Sequence, residues 1–303
     1  MITRRRFIAI SAVLAALPGA VAARPVPQLR TGQAMGAQAS LRIDHPRAGA
    51  IAARAFAEID RLEDILSLYR PDSALSRLNR DGRLPAPPFE LLDCLALAGA
   101  VHRGSGGRFD PTVQPLWALW AEAAAEGRRP GAEEIAAARR RVGWQGVRLD
   151  AQRIALRPGM ALTLNGIGQG YVADRVADLL AAEGLTDILI DTGELRALGA
   201  RPGGRDWPVT LQAGGAVGLR DRALASSAPL GTCFDAAGRD GHILDPATGN
   251  PVRPVWRGVT VSAPSAALAD ALATAGCLLP DRRALEDLIA AFPGARLEAA
   301  HPA

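Results

Sequence analysis

One segment in the middle of the chain constrains the fold more than any other. Residues 161–191 read ALTLNGIGQGYVADRVADLLAAEGLTDILID. This pattern predicts a strand, a glycine-rich turn, a helix and a second strand. Between residues 207 and 263 the sequence changes to short alternating runs separated by turn residues, which is typical of hairpins. Because regular alternation of strands and helices does not continue, the sequence predicts an α+β fold.

The glycine-rich turn imitates the dinucleotide-binding fingerprint of a Rossmann fold. Gly166, Gly168 and Gly170 follow the first strand pattern, and acidic Asp191 ends the second one. However, the spacing is G-x-G-x-G rather than G-x-G-x-x-G, so a nicotinamide-binding site is not favoured. The turn instead indicates that another group approaches the backbone closely at the start of a helix. Backbone carbonyls in such a turn can also face a cation.

Periodicity and capping signals predict most of the remaining elements. We expect helices at 51–66, from Pro88 onward, near 131–141, at 267–279 and at 282–291, and a hairpin at 147–157. Asp110 and Pro111 are expected as the N-cap and the first residue of another helix. His242 is expected on a short strand before a turn.

The N-terminus has the features of an export signal. Arg4, Arg5 and Arg6 precede a short apolar run, and the small residues at 20–22 resemble a signal-peptidase site. The segment from Thr3 to Ile8 fits the twin-arginine pattern, although an ordinary secretory signal would also carry these arginines. We therefore expect residues 1–22 to be a signal peptide and residues 23–303 to be a single domain in the periplasm.

Charge and cysteine content exclude several classes of function. The formal net charge is +4, and no basic tract is interleaved with aromatic residues, so nucleic acid is not an expected partner. The three cysteines allow at most one disulfide. Because the sequence contains no C-x-x-C motif, a zinc site or a thioredoxin-like activity is not expected either.

A carboxylate and a hydroxyl share one face of the helix predicted near the C-terminus. In the apolar run ALADALATAGCLL, Asp270 and Thr274 lie four residues apart and therefore one turn apart on a helix. Taken alone, the pair has a purely structural explanation, in which Thr274 bonds back to the carbonyl of residue 270.

Seven segments taken in order resemble the ApbE-type FAD:protein FMN transferases, which move FMN from FAD onto a protein threonine. The segments are MGAQASLRI, LSLYRPDSALSRLN, GGRFDPTVQPLWALW, LTLNGIGQGYVADRVADLL, ILIDTGELRALG, HILDPATG and VTVSAPSAALADALATAG. The resemblance implies mixed helices and largely antiparallel sheets in two intimately packed lobes, with FAD between them. It also implies that Mg²⁺ is bound by Asp270, Thr274 and the carbonyl of Gly166, and that His242 acts with Asp270 in catalysis.

The family positions that line the FAD site fall on eight residues of this chain. They are Met35, Tyr69, Phe109, Asp110, Thr163, Gln169, His242 and Ile243. Three segments depart from the family pattern: Gln169 replaces a charged residue, Asp191 and Glu194 stand where Asn and Asp are usual, and Ser226-Ser227-Ala228 replaces Thr-Ser-Gly. These departures resemble a twin-arginine-exported branch linked to nitrous-oxide respiration.

The resemblance implies Mg²⁺-dependent transfer of FMN to a threonine through a phosphoester bond, with release of AMP. The implied partners are the twin-arginine export machinery and an acceptor protein, which in that branch is a membrane-bound electron-transfer protein. Two alternatives use the same groove. One is a periplasmic FAD carrier without transferase activity, and the other is a Mg²⁺-dependent FAD pyrophosphatase in which water replaces the acceptor.

Overall fold

The computed structural model describes residues 28–43, 45–201, 203–211 and 214–303, so the predicted signal peptide lies outside the described residues. The helices are α1 (Ala48–Leu66), α2 (Ala74–Asp81), α3 (Phe89–Gly104), α4 (Gln114–Ala125), α5 (Ala132–Arg139), α6 (Gly168–Ala182), α7 (Ala266–Gly276) and α8 (Arg282–Ala290). The strands are β1 (Gln28–Ala34), β2 (Ala37–Ile43), β3 (Arg83–Pro85), β4 (Val147–Asp150), β5 (Arg153–Leu156), β6 (Ile188–Asp191), β7 (Leu195–Leu198), β8 (Trp207–Thr210), β9 (Ala216–Leu219), β10 (Ala223–Ser227), β11 (Trp256–Ala263) and β12 (Arg296–Pro302).

In the described part of the chain, the strands form three sheets. The largest has seven strands in the order β1-β2-β6-β7-β10-β11-β12, a second has the order β3-β5-β4, and β8 pairs with β9. All these pairings are antiparallel. The predicted α+β class is therefore confirmed. The strand after α6 lies antiparallel between β2 and β7, which excludes the parallel sheet of a Rossmann fold.

One hydrophobic core joins the large sheet to the helices and to the smaller three-stranded sheet. It contains fully buried side chains from both regions, including Leu75, Leu91, Ile154, Val259 and Leu272. Helix α7 packs on β10, β11 and α6 within this core. Since α7 is rich in alanine, its backbone approaches these neighbours closely, and its few polar side chains are held in fixed positions.

Most predicted elements are present, and two predictions about strands are wrong. Residues 161–164 join no sheet among the described residues, and residue 165 already belongs to a turn. Their backbone bonds elsewhere: Leu162 donates to and accepts from the side chain of Asn79, and Thr163 donates to the carbonyl of Pro111 at 2.8 Å. His242 lies between two isolated bridges, Cys233 to Gly241 and Leu244 to Pro251, rather than on a strand. Both segments make these backbone hydrogen bonds with residues outside any sheet, and the alternation of side chains does not reveal such partners.

Two sets of contacts at the start of α7 show how this helix is positioned. Ser265 caps α7 by accepting from the backbone of Leu268. Asp174 on α6 accepts from the backbone N–H groups of Ala266 and Ala267 at 2.8 and 2.9 Å. Burial raises the pKa of Asp174 to about 6, and these two N–H groups oppose that rise. Helix α6 therefore determines where the first turn of α7 lies.

The close contact between these helices requires glycine at residue 170. A Cβ atom there would lie 2.7 Å from the nitrogen of Ala267 and closer still to the carbonyl of Ala266. We expect Gly170→Ala to lower the free energy of unfolding by about 1–3 kcal/mol, because α6 and α7 must separate. The matched control is Gly49→Ala on α1, where the nearest atom would lie 3.9 Å away. Chemical denaturation should show no loss for the control, and equal losses in both variants would contradict this account.

No helix in the described residues combines the length and hydropathy needed to span a membrane. The three cysteines are free in the structure, and Cys94 and Cys277 are buried within the hydrophobic core.

Candidate active site

A cleft of about 450 Å³ gathers the polar segments singled out in the sequence. It lies between the β1–β2 hairpin, the loop 108–113, the glycine turn 163–169, the turn after β6, the end of β10, the loop 228–244 and one face of α7. Every predicted metal-site residue lines it, and so do Phe109, Asp110, Thr163, Gln169, His242 and Ile243. The tertiary fold therefore brings together residues that are up to 165 positions apart in the chain, from Phe109 to Thr274.

Asp270 and Thr274 extend from α7 toward the glycine turn. The carboxylate of Asp270 is 4% exposed, and its Oδ2 accepts one long hydrogen bond, at 3.4 Å, from the backbone of Gly170. A Cβ atom on Gly166 would lie 3.0 Å from the hydroxyl oxygen of Thr274. The turn therefore approaches the hydroxyl so closely that a larger residue at 166 would fill the space between them.

Two more carboxylates lie in the same wall of the cleft. Glu194 is 7% exposed and accepts a hydrogen bond from the backbone of Ser226, while Asp191 is half-buried and accepts from Gly193 at 3.0 Å. Burial raises the pKa of Glu194 well above its usual range, and the nearby carboxylate of Asp270 raises it further. Burial likewise raises the pKa of Asp270 to about 7. Sequence reasoning did not assign Glu194 to the site and noted it only as a departure from the family pattern, where Asp is usual.

Two of these three carboxylates, Asp270 and Glu194, lack a basic partner in the part of the chain that the structure describes. Among the described residues, neither Asp270 nor Glu194 forms an ion pair with arginine, lysine or histidine, although Arg42 lowers the pKa of Asp191 slightly against the effect of burial. A buried carboxylate without a counter-charge is costly unless it is protonated or meets a cation. This part of the cleft is therefore suited to a positively charged ligand.

The donor atoms near Asp270 fit a hard divalent cation. A carboxylate, a hydroxyl and a backbone carbonyl offer oxygen only, which is the ligand type that Mg²⁺ prefers. No group of three or more His, Cys, Asp or Glu side chains that could hold a metal is found in the described ranges. Asp270, Thr274 and the carbonyl of Gly166 would therefore supply few protein ligands, and the remaining positions would be left for water and phosphate oxygens.

His242 also lines the cleft, in the loop that follows β10. Its Nδ1 is 3.1 Å from the carbonyl of Thr232, and its backbone N–H donates to the same carbonyl at 2.9 Å. This contact assigns the Nδ1 proton to Thr232 and leaves Nε2 as the acceptor of the neutral ring. Burial lowers the pKa of His242, while hydrogen bonds to the carbonyls of Thr232 and Pro229 oppose the shift. Burial therefore favours the neutral ring, which is the form that can take a proton.

The loop before α4 has the predicted cap. Asp110 accepts from the backbone and the hydroxyl of Thr112 at 2.8 and 2.6 Å, and Pro111 begins a single 3-10 turn that leads into α4. His102 on α3 holds this loop through the carbonyl of Phe109, at 2.9 Å from its Nδ1. One oxygen of Asp110 is therefore engaged in local structure, and the other is 3.8 Å from His102.

Gln169 and Thr163 occupy the two ends of the glycine turn. The backbone carbonyl of Gln169 accepts from the hydroxyl of Thr192 at 3.0 Å, and its side-chain amide packs against Gly193. The hydroxyl of Thr163 accepts from the backbone of Asn165 at 3.2 Å. The uncharged amide of Gln169 thus adds no positive charge to a wall that already carries buried carboxylates.

Two predicted FAD-site residues do not line the cleft. Met35 lies in the β1–β2 turn with φ of 50°, donates from its backbone to Glu63, and directs its side chain toward Gly168. Tyr69 is 51% exposed, and its hydroxyl interacts with the side chain of Asn165, which does line the cleft. Both residues therefore lie behind or beside the glycine turn rather than in the cleft wall.

Comparisons with known proteins identify one family. The model of the ApbE family matches residues 35–294. The FAD:protein FMN transferase of Klebsiella pneumoniae (strain 342) is 32% identical over 248 residues, which cover 75% of this chain and 71% of that protein. The FAD:protein FMN transferase of Salmonella typhimurium is 29% identical over 291 residues, covering 89% and 83%.

Solved structures of the same family share the fold. The apo form of the flavinyl transferase ApbE from Pseudomonas stutzeri matches with a TM-score of 0.77 and 31% identity, with 88% of each chain covered. The ApbE protein from Thermotoga maritima matches with a TM-score of 0.79 and 27% identity, covering 91% of this chain and 97% of that one.

Proposed function

This chain belongs to the ApbE family and is an FAD:protein FMN transferase, and we propose that it uses Mg²⁺ to transfer FMN to a threonine of a periplasm-facing acceptor protein. The bond formed is a phosphoester, and AMP is released. One observation carries the metal part of this proposal: the Asp270 carboxylate is buried in the cleft beside the Thr274 hydroxyl and has no basic partner among the described residues.

Asp270, Thr274 and the carbonyl of Gly166 would hold the metal. When bound, Mg²⁺ would neutralise charge on the two phosphates of FAD and favour the leaving of AMP. The glycine turn brings its backbone close to Thr274, and α7 holds the side chains of Asp270 and Thr274 on a rigid support. The part of the cleft beside His242 is left for the acceptor and the transferred group.

His242 is the base in the proposed reaction. The acceptor threonine oxygen attacks the FMN-side phosphorus while the bond from that phosphorus to the bridging oxygen breaks. AMP leaves with the bridging oxygen, and the threonine proton passes to Nε2 of His242. The carbonyls of Thr232 and Pro229 favour the imidazolium that results. Atoms and charges therefore balance without a further reactant.

The proposed location and acceptor rest on other features. The arginine pair and the apolar run at 4–17 support export by the twin-arginine route, and residues 1–22 would then be removed. A transferase of this kind needs an acceptor protein. The departures at Gln169, Glu194 and Ser226-Ser227-Ala228 support an acceptor that is a membrane-bound electron-transfer protein.

Intact-mass spectrometry of a candidate acceptor domain tests the proposal. We expect incubation with the mature protein, FAD and Mg²⁺ to add the mass of FMN, and we expect no addition with EDTA or when the acceptor threonine is changed to alanine. Free FMN and AMP without a protein adduct would instead support a pyrophosphatase. Bound FAD without either product, for every acceptor encoded nearby, would support a carrier. Transfer that persists in EDTA would contradict the metal assignment alone.

A further inference from the structure

Two neighbouring serines at the end of β10 make different contacts. The hydroxyl of Ser226 lies 2.8 Å from the hydroxyl of Thr260 on the adjacent strand β11, with which it is paired in register. The hydroxyl of Ser227 lies 3.2 Å from the hydroxyl of Thr274 on α7. The backbone carbonyl of Ser227 also accepts from the thiol of Cys277 at 3.4 Å. Ser227 is therefore attached to α7 at two points almost one turn apart, whereas the Ser226 side chain is attached to the sheet.

The contact between Ser227 and Thr274 determines where the Thr274 hydrogen can go. A hydroxyl has one hydrogen to donate and two lone pairs to accept with. A threonine within a helix can donate back to the carbonyl four residues earlier, which here is that of Asp270. Among the described residues, the hydroxyl of Ser227 is the hydrogen-bonding partner found for Thr274 Oγ1. A Cβ atom on Gly166 would lie 3.0 Å from the same oxygen, so the glycine turn also approaches it closely.

A hydroxyl that binds a cation through its oxygen must give its hydrogen to another acceptor. Ser227 Oγ is that acceptor, and it lies in the cleft wall beside Thr274. Once Ser227 accepts this hydrogen, its own hydrogen is free to be donated into the cleft. An oxygen of a phosphate group held there would be the natural acceptor, since hydroxyl donors to charged oxygens form the stronger hydrogen bonds.

We propose that Ser227 is a positioning residue, which takes the hydrogen of Thr274, turns the Thr274 oxygen toward the cation, and donates its own hydrogen to a phosphate oxygen of FAD. This inference rests on the proposed metal-assisted transfer. It explains why a strand end, a helix and a glycine turn converge on one hydroxyl. Changing a partner that orients a metal ligand typically weakens metal binding by about 10–100-fold.

The test compares Ser227→Ala with Ser226→Ala in the mature protein. Calorimetric titration of the FAD-free protein with Mg²⁺ alone should give about 10–100-fold weaker binding for Ser227→Ala and no comparable loss for Ser226→Ala. Each change removes one hydroxyl from the same strand, so the pair separates contact with Thr274 from damage to β10. Ser227→Thr keeps the hydroxyl and should restore Mg²⁺ binding. Thermal denaturation of each variant monitors the fold.

The outcomes distinguish this inference from the proposed function. Wild-type binding of Mg²⁺ together with equal binding by Ser227→Ala would overturn the inference and leave the metal site intact. Equal losses in Ser227→Ala and Ser226→Ala would also overturn it, since the effect would then belong to the strand. A wild-type protein that binds no Mg²⁺ and transfers FMN in EDTA would overturn both.

Discussion

Replacing Asp270 with asparagine is expected to abolish Mg²⁺-dependent FMN transfer and, at the same time, to stabilise the metal-free protein at neutral pH. The variant keeps the size of the side chain and the oxygen that accepts from Gly170. It removes the buried negative charge that the cation would otherwise neutralise. Loss of a ligand explains the loss of transfer, and loss of an unbalanced buried carboxylate explains the gain in stability.

The pH dependence of this stability difference follows from the pKa of Asp270. Burial raises that pKa from an ordinary value near 4 in the unfolded chain to about 7 in the folded protein. The folded state therefore binds a proton at Asp270 that the unfolded state has lost, and the contribution of Asp270 to the stability of the metal-free protein falls as the pH rises from about 4 to about 7. The variant should consequently match the wild type near pH 4 and exceed it at pH 8, by an amount on the order of a few kcal/mol.

Thermal denaturation in EDTA at the two pH values measures this difference, and the mass-spectrometric assay measures transfer. Asp178→Asn is the matched control, because Asp178 lies on the exposed face of α6 and pairs with Arg175 at 3.2 Å. It should change neither transfer nor the pH profile appreciably. Transfer that survives in Asp270→Asn would remove Asp270 from the metal site. A variant that is less stable than the wild type at pH 8 would mean that a positive charge already balances the carboxylate in the metal-free protein.

Changing His242 to alanine is expected to slow transfer far more than it weakens FAD binding. Loss of a general base reduces rates by about 10²–10⁴-fold, whereas the affinity for FAD is shared with the other residues that line the cleft. The lowered pKa of His242 adds a second expectation. The wild-type rate should fall on acidification only below the usual pKa of histidine, and this acidic limb should be absent in His242→Ala.

Rapid-quench measurements of transfer, together with FAD titration, separate the two effects. His301→Ala provides the control, since His301 lies on the edge strand β12 and does not line the cleft. It should leave both the transfer rate and the FAD affinity unchanged. Equal losses of rate and FAD affinity in His242→Ala would make His242 a binding residue only. If the transfer rate of His242→Ala still falls at acidic pH as in the wild type, another residue is the group that titrates.

Local patterns predicted much of this molecule. The helical spacing at 51–66 and the Asp110-Pro111 start signal depend on contacts within a few residues, and both are found in the structure. The stacking of Asp270 and Thr274 on one helical face is equally local, because four residues make about one turn. The sequence also predicted that no Rossmann sheet follows the glycine turn, since the hairpins after Asp191 are themselves local structures.

Contacts between distant segments were decided by the tertiary structure alone. Residues 161–165 have the composition of a strand, but their backbone bonds go to Asn79 and Pro111 instead of a sheet. The approach of Glu194 to Asp270 and of Ser227 to Thr274 depends on how the large sheet, through β10, lies against α7. A carboxylate's neighbours, and therefore its pKa and its need for a cation, are properties of packing, whereas periodicity records only which residues can share a face.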